Sequence, residues 1–407
     1  MTFIPGETPV PTSSPVWGEP EKAAMCEQIL HGWLTAGPKN KEFEEKLAKR
    51  WGTQYALTCN SGSSANLLAV GAMVESGRWH AGDEIITVAA SFPTTINPLL
   101  QYGLVPVFTD VDLGTYNATL EGVKKALSPK TKGIMLAHTL GHPFPRQIAG
   151  FAVQHGLHLI EDCCDAFGAA WLSAGARYPV GSSGALSTCS FFPAHHIMTG
   201  EGGAVFTDDP ELRRMVDSLA SWGRDCYCDP GCENTCGTRF GHTGGTLPDG
   251  YDHKYIFSAL GYNLKMTEVQ AVCGIEQLKR LTGFKAARNE NWKYLYNKLK
   301  PLKDHLILPA KSPIVEPSWF GFCITLRKPG ERATLQEYLA ACKIGSRLLF
   351  AGNIVRQPYM QGRNYRVSGS LANSDKVMED SLWLGVWPGL TTPMLDYVCD
   401  KITGFFA

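Results

Sequence analysis

The runs EIITVAA (84–90), VPVFTDV (105–111), GIMLAH (133–138) and LHLIED (157–162) are short, largely apolar, and separated by helix-patterned segments such as LEGVKKAL (120–127) and RQIAGFAVQ (146–154). Strands of this kind, buried on both faces and joined by crossover helices, make a mostly parallel sheet covered by helices. The alternation predicts an α/β fold. GALSTCSFF (184–192) and GAVFTDD (203–209) carry the strand pattern to about residue 208, and ELRRMVDSLASWG (211–223) resumes as helix.

Upstream, FEEKLAKRW (43–51) reads as an amphipathic helix and SGSSANLLAVGAM (61–73) as a tight turn opening another. Downstream, Thr267 and Gln270 have capping-box spacing ahead of a long helical stretch from 268 to about 299, suited to a spine between domains. FGFCITL (320–326), ERATLQEYLAACK (331–343) and DYVCDKITGFF (396–406) then predict a smaller α+β domain. The expected division is a large domain over 1–265, carrying a Cys-rich loop at 224–240, and a linking helix with a small domain over 266–407.

The 38 basic and 38 acidic residues balance without any run of like charge, which argues against nucleic acid or an anionic membrane surface as a partner. No apolar stretch reaches the roughly 18 residues of a membrane span, and the Pro-rich, polar start MTFIPGETPVPTSSP is unlike a signal peptide. A cytoplasmic location is expected. Of 13 cysteines, seven are scattered among apolar residues. The others are Cys163, Cys164 and, within RDCYCDPGCENTC (224–236), Cys226, Cys228, Cys232 and Cys236. On the residues alone, such a loop fits structural zinc or an iron-sulfur cluster.

CNSGSSANLL (59–68) places Gly62, Ser63 and Ser64 at a helix start, where free amides either bind a phosphate or are simply capped. Asp162, in LIEDCCDAFGA (159–169), stands at the carboxyl end of a predicted strand, where α/β sheets bind ligands. It is either a helix-capping acid or an ionised partner for a pyridinium nitrogen.

SFFPAHHIMTGEGGAVF (190–206) resembles the lysine segment of the DegT/DnrJ/EryC1/StrS family of nucleotide-sugar aminotransferases, which runs S-F-x-x-x-K with a following G-E-G-G. Ser190, Gly200, Glu201, Gly202 and Gly203 match, and His195 stands where the lysine belongs. SGSSA, SFPTT, IED and GYNLKMTEVQA extend the likeness along the chain. The resemblance implies the aspartate aminotransferase-like, type I fold of enzymes that use pyridoxal 5'-phosphate (PLP). It also implies that Gly62, Ser63 and Ser190 hold the phosphate, that Phe92 stacks on the ring, and that Asp162 pairs with the ring nitrogen. Asp165 falls near the ring hydroxyl, and Asn263 would reach the phosphate of a second subunit, hence a homodimer.

No lysine occurs from Gly133 to His253, so no neighbour in sequence can replace the one that forms a Schiff base with PLP. Imidazole, with an ordinary pKa of about 6.5, is instead a base near neutral pH. The expected cofactor is pyridoxamine 5'-phosphate (PMP), held noncovalently. The expected reaction is loss of the C3 hydroxyl from a nucleotide-linked 4-keto-6-deoxy sugar, with His195 moving the proton. A noncatalytic cofactor-binding relative with structural zinc is the rival from another class. His196 is expected to pack or to make a structural hydrogen bond.

Within the family, the iron-dependent CDP-4-keto-6-deoxyglucose 3-dehydrases share both the histidine and the Cys-rich segment. Likeness to them implies a [2Fe-2S] cluster on Cys164, Cys226, Cys228 and Cys236, leaving over Cys163 and Cys232. It further implies an NAD(P)H-dependent flavin/iron-sulfur reductase as electron donor, in the making of a lipopolysaccharide O-antigen or a glycosylated natural product. The segment WLSAGARYPVGSSG (171–184), longer than in those relatives, is expected to be a loop. An iron-independent 3-dehydratase is the nearer alternative, and the nucleotide, CDP, GDP or TDP, is left open.

Overall fold

The computed structural model describes residues 3–228 and 231–407. Nine strands arise in the first half: Tyr55–Cys59 (β1), Glu84–Val88 (β2), Val105–Thr109 (β3), Thr131–Ala137 (β4), His158–Asp162 (β5), Ala170–Ser173 (β6), Ala176–Pro179 (β7), Leu186–Ser190 (β8) and Gly203–Thr207 (β9). The central sheet has the order β1-β9-β8-β5-β4-β2-β3, with the short strand Arg366–Val367 on its outer edge. Only β9 runs antiparallel to its neighbours. The apolar runs that predicted a parallel sheet are these strands, and β2, β8 and β9 are buried along their full length.

Helices cover both faces. Gly62–Glu75 and Pro210–Ala220 pack Leu68, Met73, Leu212, Val216 and Leu219 on one side, while a larger core around Trp51, Ile148, Trp171 and Phe206 fills the other. The helix Glu268–Leu299 begins where the capping box placed it, with Thr267 Oγ1 accepting from Gln270 N–H and Gln270 Oε1 accepting from Thr267 N–H. Its first half packs on the large domain, so closely that a Cβ on Gly274 would stand 2.4 Å from Phe43. Its last turns give Trp292, Leu295 and Leu299 to a separate core with Phe322, Ile324 and Leu384. That core backs an antiparallel sheet ordered Leu306–Ile307, Gly321–Leu326, Ser381–Gly385, Ser346–Arg347.

The segment expected to be a loop is a hairpin instead. β6 and β7 pair antiparallel across Ala174 and Gly175, both with positive φ (49° and 78°), the two-residue turn whose twist matches its flanking strands. Val315–Glu316 adds a third strand to it. Ala174, at the first turn position where Asn, Asp or Gly is preferred, hides the hairpin in the sequence pattern.

Candidate active site and cysteine-rich loop

Strand direction gathers the predicted residues. β1, β2, β5 and β8 all end at the same edge of the sheet, and β9 starts there. Gly62, Phe92, Asp162 and Ser190 follow from four different strands to that one edge, the ligand-binding side of open α/β sheets. Alternation along β5 separates two adjacent acids. Glu161 accepts N–H bonds from Gly181, Ser183 and Gly184 and pairs with His138 at 3.0 Å, a structural anchor. Asp162 faces the site.

The Asp162 carboxylate is fixed by three donors: Asn66 Nδ2 and Thr95 Oγ1, each 2.8 Å from Oδ2, and Cys164 N, 3.1 Å from Oδ1. Thr188 Oγ1 in turn donates to Asn66 Oδ1 at 2.6 Å. Asn66 and Thr95 were not identified from sequence; each looks like an ordinary polar residue on its helix until the fold brings it to β5.

At the helix start, Ser61 caps Ser64 N–H at 3.1 Å, and Gly62 has no room for a side chain. A Cβ there would stand 2.5 Å from Ser190 Cβ and 3.1 Å from Cys164 Sγ, and one on Gly203 would stand 2.4 Å from Ser61 O. The glycines let the helix N-terminus and its free amides approach Ser190, a polar helix start of the kind that can take an anion. Phe92, 49% exposed beside this edge, meets Phe350 edge to face at 5.9 Å and leaves a ring face open for stacking.

His195 lies in the turn after β8. Its ring stacks on Phe320 at 5.0 Å, and Nδ1 is 3.5 Å from Asp165 Oδ1, without a hydrogen bond. The turn is pinned from behind by buried Arg288 of the long helix, whose Nη2 donates to the Ala194 and His195 carbonyls at 3.0 Å. Burial, reinforced by the Arg288 charge, lowers His195 to about 4, so its imidazole is neutral at physiological pH. Burial, reinforced by the negative charge of Asp162, raises Asp165 to about 8. Asp165 thus stands beside the imidazole. His196 Nε2 donates to the Ser318 carbonyl at 2.8 Å and is buried, as expected of a structural residue. Asn263 is exposed beside Lys265, whose Nζ donates to its Oδ1 at 2.6 Å.

Three of the four expected cluster cysteines come together. The Sγ atoms of Cys226, Cys228 and Cys236 lie within 4.8 Å of one another. Hydrogen bonds from Thr238 and then from His253 lower the Cys236 thiol to about 6, toward the thiolate a metal needs. Cys164 is not in this group: leaving β5, its Sγ lies beside Gly62 at the helix start. Cys232 is exposed, and Cys163 is buried on the other side with His138 and Glu161. The His138 ring is fully engaged there, stacked on Phe144 and bonded to Glu161 and Phe144 N–H, so that group is packing.

Sheet order, the long helix shared by two cores and the glycine-rich helix start at the carboxyl edge match the type I fold of PLP-dependent enzymes. The chain belongs to the DegT/DnrJ/EryC1/StrS aminotransferase family, whose model matches residues 17–403. It is 49% identical to the lipopolysaccharide biosynthesis protein RfbH of Salmonella typhimurium, over 99% of this chain and 93% of that one. It is 47% identical to the dTDP-4-dehydro-2,6-dideoxy-D-glucose 3-dehydratase of Saccharopolyspora spinosa, over 100% and 88%. Among solved structures, the E. coli GDP-4-keto-6-deoxy-D-mannose-3-dehydratase with bound hydrated PLP superposes with a TM-score of 0.85 at 30% identity, covering 96% of this chain and 98% of that one.

Proposed function

We propose that this chain is a PMP- and [2Fe-2S]-dependent nucleotide-sugar 3-dehydratase that acts on a 4-keto-6-deoxyhexose and takes electrons from an NAD(P)H-dependent flavin/iron-sulfur reductase. One observation carries the reading: a neutral imidazole, His195, stands in the lysine's place at the edge where Asp162, Ser190 and the Gly62 helix start converge. Likeness to two 3-dehydratases supports the substrate class. Gly62, Ser63 and Ser190 hold the phosphate, Phe92 covers the ring, Asp162 pairs with its nitrogen, and Asn263 serves the site of a second subunit in a homodimer.

Bound PMP supplies an amine that condenses with a keto sugar and a ring that accepts electrons. Asp162, oriented by Asn66 and Thr95, would be the partner of the ring nitrogen. With Asp162 engaged by the ring nitrogen, Asp165, 3.5 Å from His195 Nδ1, would accept the Nδ1–H and leave Nε2 as the base. His195 then moves the proton as the C3 hydroxyl leaves as water. The overall deoxygenation consumes two electrons and two protons: the reductase would supply the electrons through an iron-sulfur centre held in part by Cys226, Cys228 and Cys236, and the protons come ultimately from water.

A second reading, dehydration without a cluster, is favoured by the group of Cys226, Cys228 and Cys236 not including Cys164. Iron and acid-labile sulfide in the anaerobically purified protein separate the two. About two of each per chain is expected; stoichiometric zinc, or no metal, would overturn the cluster. His195→Asn is expected to retain PMP absorbance while losing C3 deoxygenation by about 10²- to 10⁴-fold. Undiminished turnover would remove His195 from the mechanism.

A further inference from the structure

The turn that carries His195 is held by a buried cation bonded to carbonyls and not to an acid, and this inference rests on the reading of His195 as the base. Arg288, in the long helix Glu268–Leu299, is 3% exposed. Among the described residues its hydrogen-bond partners are all backbone carbonyls: Nη2 donates to Ala194 O and His195 O, each at 3.0 Å, and Nη1 to Phe320 O at 3.3 Å. Burial lowers the guanidinium to about 10, which leaves it charged at neutral pH. Burying a charge without a paired carboxylate is costly, and an apolar side chain of similar length would fill the space without that penalty.

Two features give the charge a use. The first is reach. Two of the three carbonyls belong to the His195 turn, and the third belongs to Phe320, whose ring stacks on the imidazole at 5.0 Å. One guanidinium therefore fixes both the imidazole and the surface it lies on. Asn289, the next residue of the helix, completes the hold on the second segment: its Nδ2 donates to Pro317 O at 3.0 Å, and its Oδ1 accepts from Trp319 N–H at 3.3 Å. A planar fork of donors can span such a set, which the compact ammonium of a lysine cannot match.

The second feature is electrostatic. Asp162 and Asp165 are the acids beside the imidazole, with Asp165 Oδ1 3.5 Å from Nδ1, and a negative charge on either favours an imidazolium. His196, next in the turn, is engaged with the Ser318 carbonyl. Ser14, Val16, Gln277 and Phe284, packed around the same turn, bring no charge. Arg288 opposes the acids and, together with burial, keeps the imidazole neutral.

We propose that Arg288 is the positioning residue of His195: its fork fixes the turn and Phe320 at the cofactor edge, and its charge disfavours a second positive charge on the imidazole. Arg288 itself exchanges no proton. Once His195 has taken up the proton, the neighbouring cation favours its transfer to the leaving C3 hydroxyl, which departs as water.

The test compares Arg288→Gln, which keeps hydrogen-bond donors and drops the charge, with Arg288→Lys, which keeps the charge and drops the fork. Arg288→Met is a second charge-free variant with the same expectation as Arg288→Gln, and Asn289→Ala loosens the segment at 317–320 without changing the charge. Ionisation of His195 in the cofactor-free protein is read by NMR of ¹³C-labelled histidine, its signal being the one missing from His195→Asn. In Arg288→Gln it should titrate at least about one pH unit higher than in the wild type, and in Arg288→Lys and Asn289→Ala within about half a pH unit of it. With PMP and sugar bound, the acid limb of kcat should move up in Arg288→Gln, because a base works only when unprotonated. In Arg288→Lys, kcat should fall about 10- to 100-fold with KM nearly unchanged, the mark of lost alignment. A His195 signal that titrates alike in Arg288→Gln and the wild type, or moves as far in Asn289→Ala, would overturn the proposal, as would wild-type kcat in Arg288→Lys. Full turnover by His195→Asn with the titration shifted would overturn the base reading and leave Arg288 as the residue that sets the charge on His195.

Discussion

The cofactor edge and the cysteine-rich loop are built by different means. The edge rests on four buried strands, and its acid is held by side chains from two helices behind the sheet. The loop, by contrast, contributes no residue in 224–228 or 231–255 to any of the apolar cores. It is held by turns, by a half-buried pair of Arg239 with Asp252 and by more exposed pairs of Arg239 and Lys254 with Glu233, and it leaves Tyr227, Phe240, Tyr251 and Tyr255 in solvent. Surface pairs of this type contribute about 0–1 kcal/mol each. A preformed sheet can therefore keep its site in shape without a ligand, whereas a loop built this way would gain most of its rigidity from the proposed metal centre.

The largest expected effect breaks the two regions apart. Stripping the metal, or Cys228→Ser, should speed limited proteolysis within 224–255 by at least about tenfold, while the main melting transition and PMP binding change little. A coupled loss of both would show the loop to be part of the sheet's cooperative unit. Next, Asp162→Asn removes the charge at the ring nitrogen, and hydrogen bonds to charged groups are worth about 1.5–3 kcal/mol. Titration should show PMP binding weakened about 10- to 100-fold with iron content unchanged.

Smaller in energy is Gly62→Ala, whose Cβ would stand 2.5 Å from Ser190 Cβ and 3.1 Å from Cys164 Sγ. Overpacking there should cost about 1–3 kcal/mol in denaturant unfolding and weaken phosphate binding, with the loop unaffected. The least is a pH effect at the edge. In the cofactor-free protein Asp165 keeps its proton up to about 8, whereas the unfolded chain loses it near the ordinary value of about 3.9. The unfolded state thus binds fewer protons between these values, and stability falls as pH rises through that window. Asp165→Asn should melt higher than the wild type at pH 8, and the advantage should shrink toward pH 4. An advantage independent of pH would mean that Asp165 is ionised in the folded protein.

The parts legible in the sequence were those with a local signature. Apolar runs mark the parallel strands, and the Thr267–Gln270 box marks the start of the spine helix. The glycine at 62 and the histidine at 195 are motif positions. What escaped was set by packing between distant segments. Asn66 and Thr95 acquire their role only when β5 comes between them, and Arg288 pins the His195 turn from 93 residues away. Cys164 has the motif spacing of a ligand, but only the fold shows that its Sγ lies beside Gly62 at the end of β5.

The most direct test of His195 as the base is release of tritium from the methylene carbon of labelled PMP in a single turnover with nucleotide-linked 4-keto-6-deoxy sugar. Wild-type protein should release the label to water, and His195→Asn, with the same PMP bound, should release it at least about a hundredfold more slowly. Release at the wild-type rate from His195→Asn would contradict the assignment.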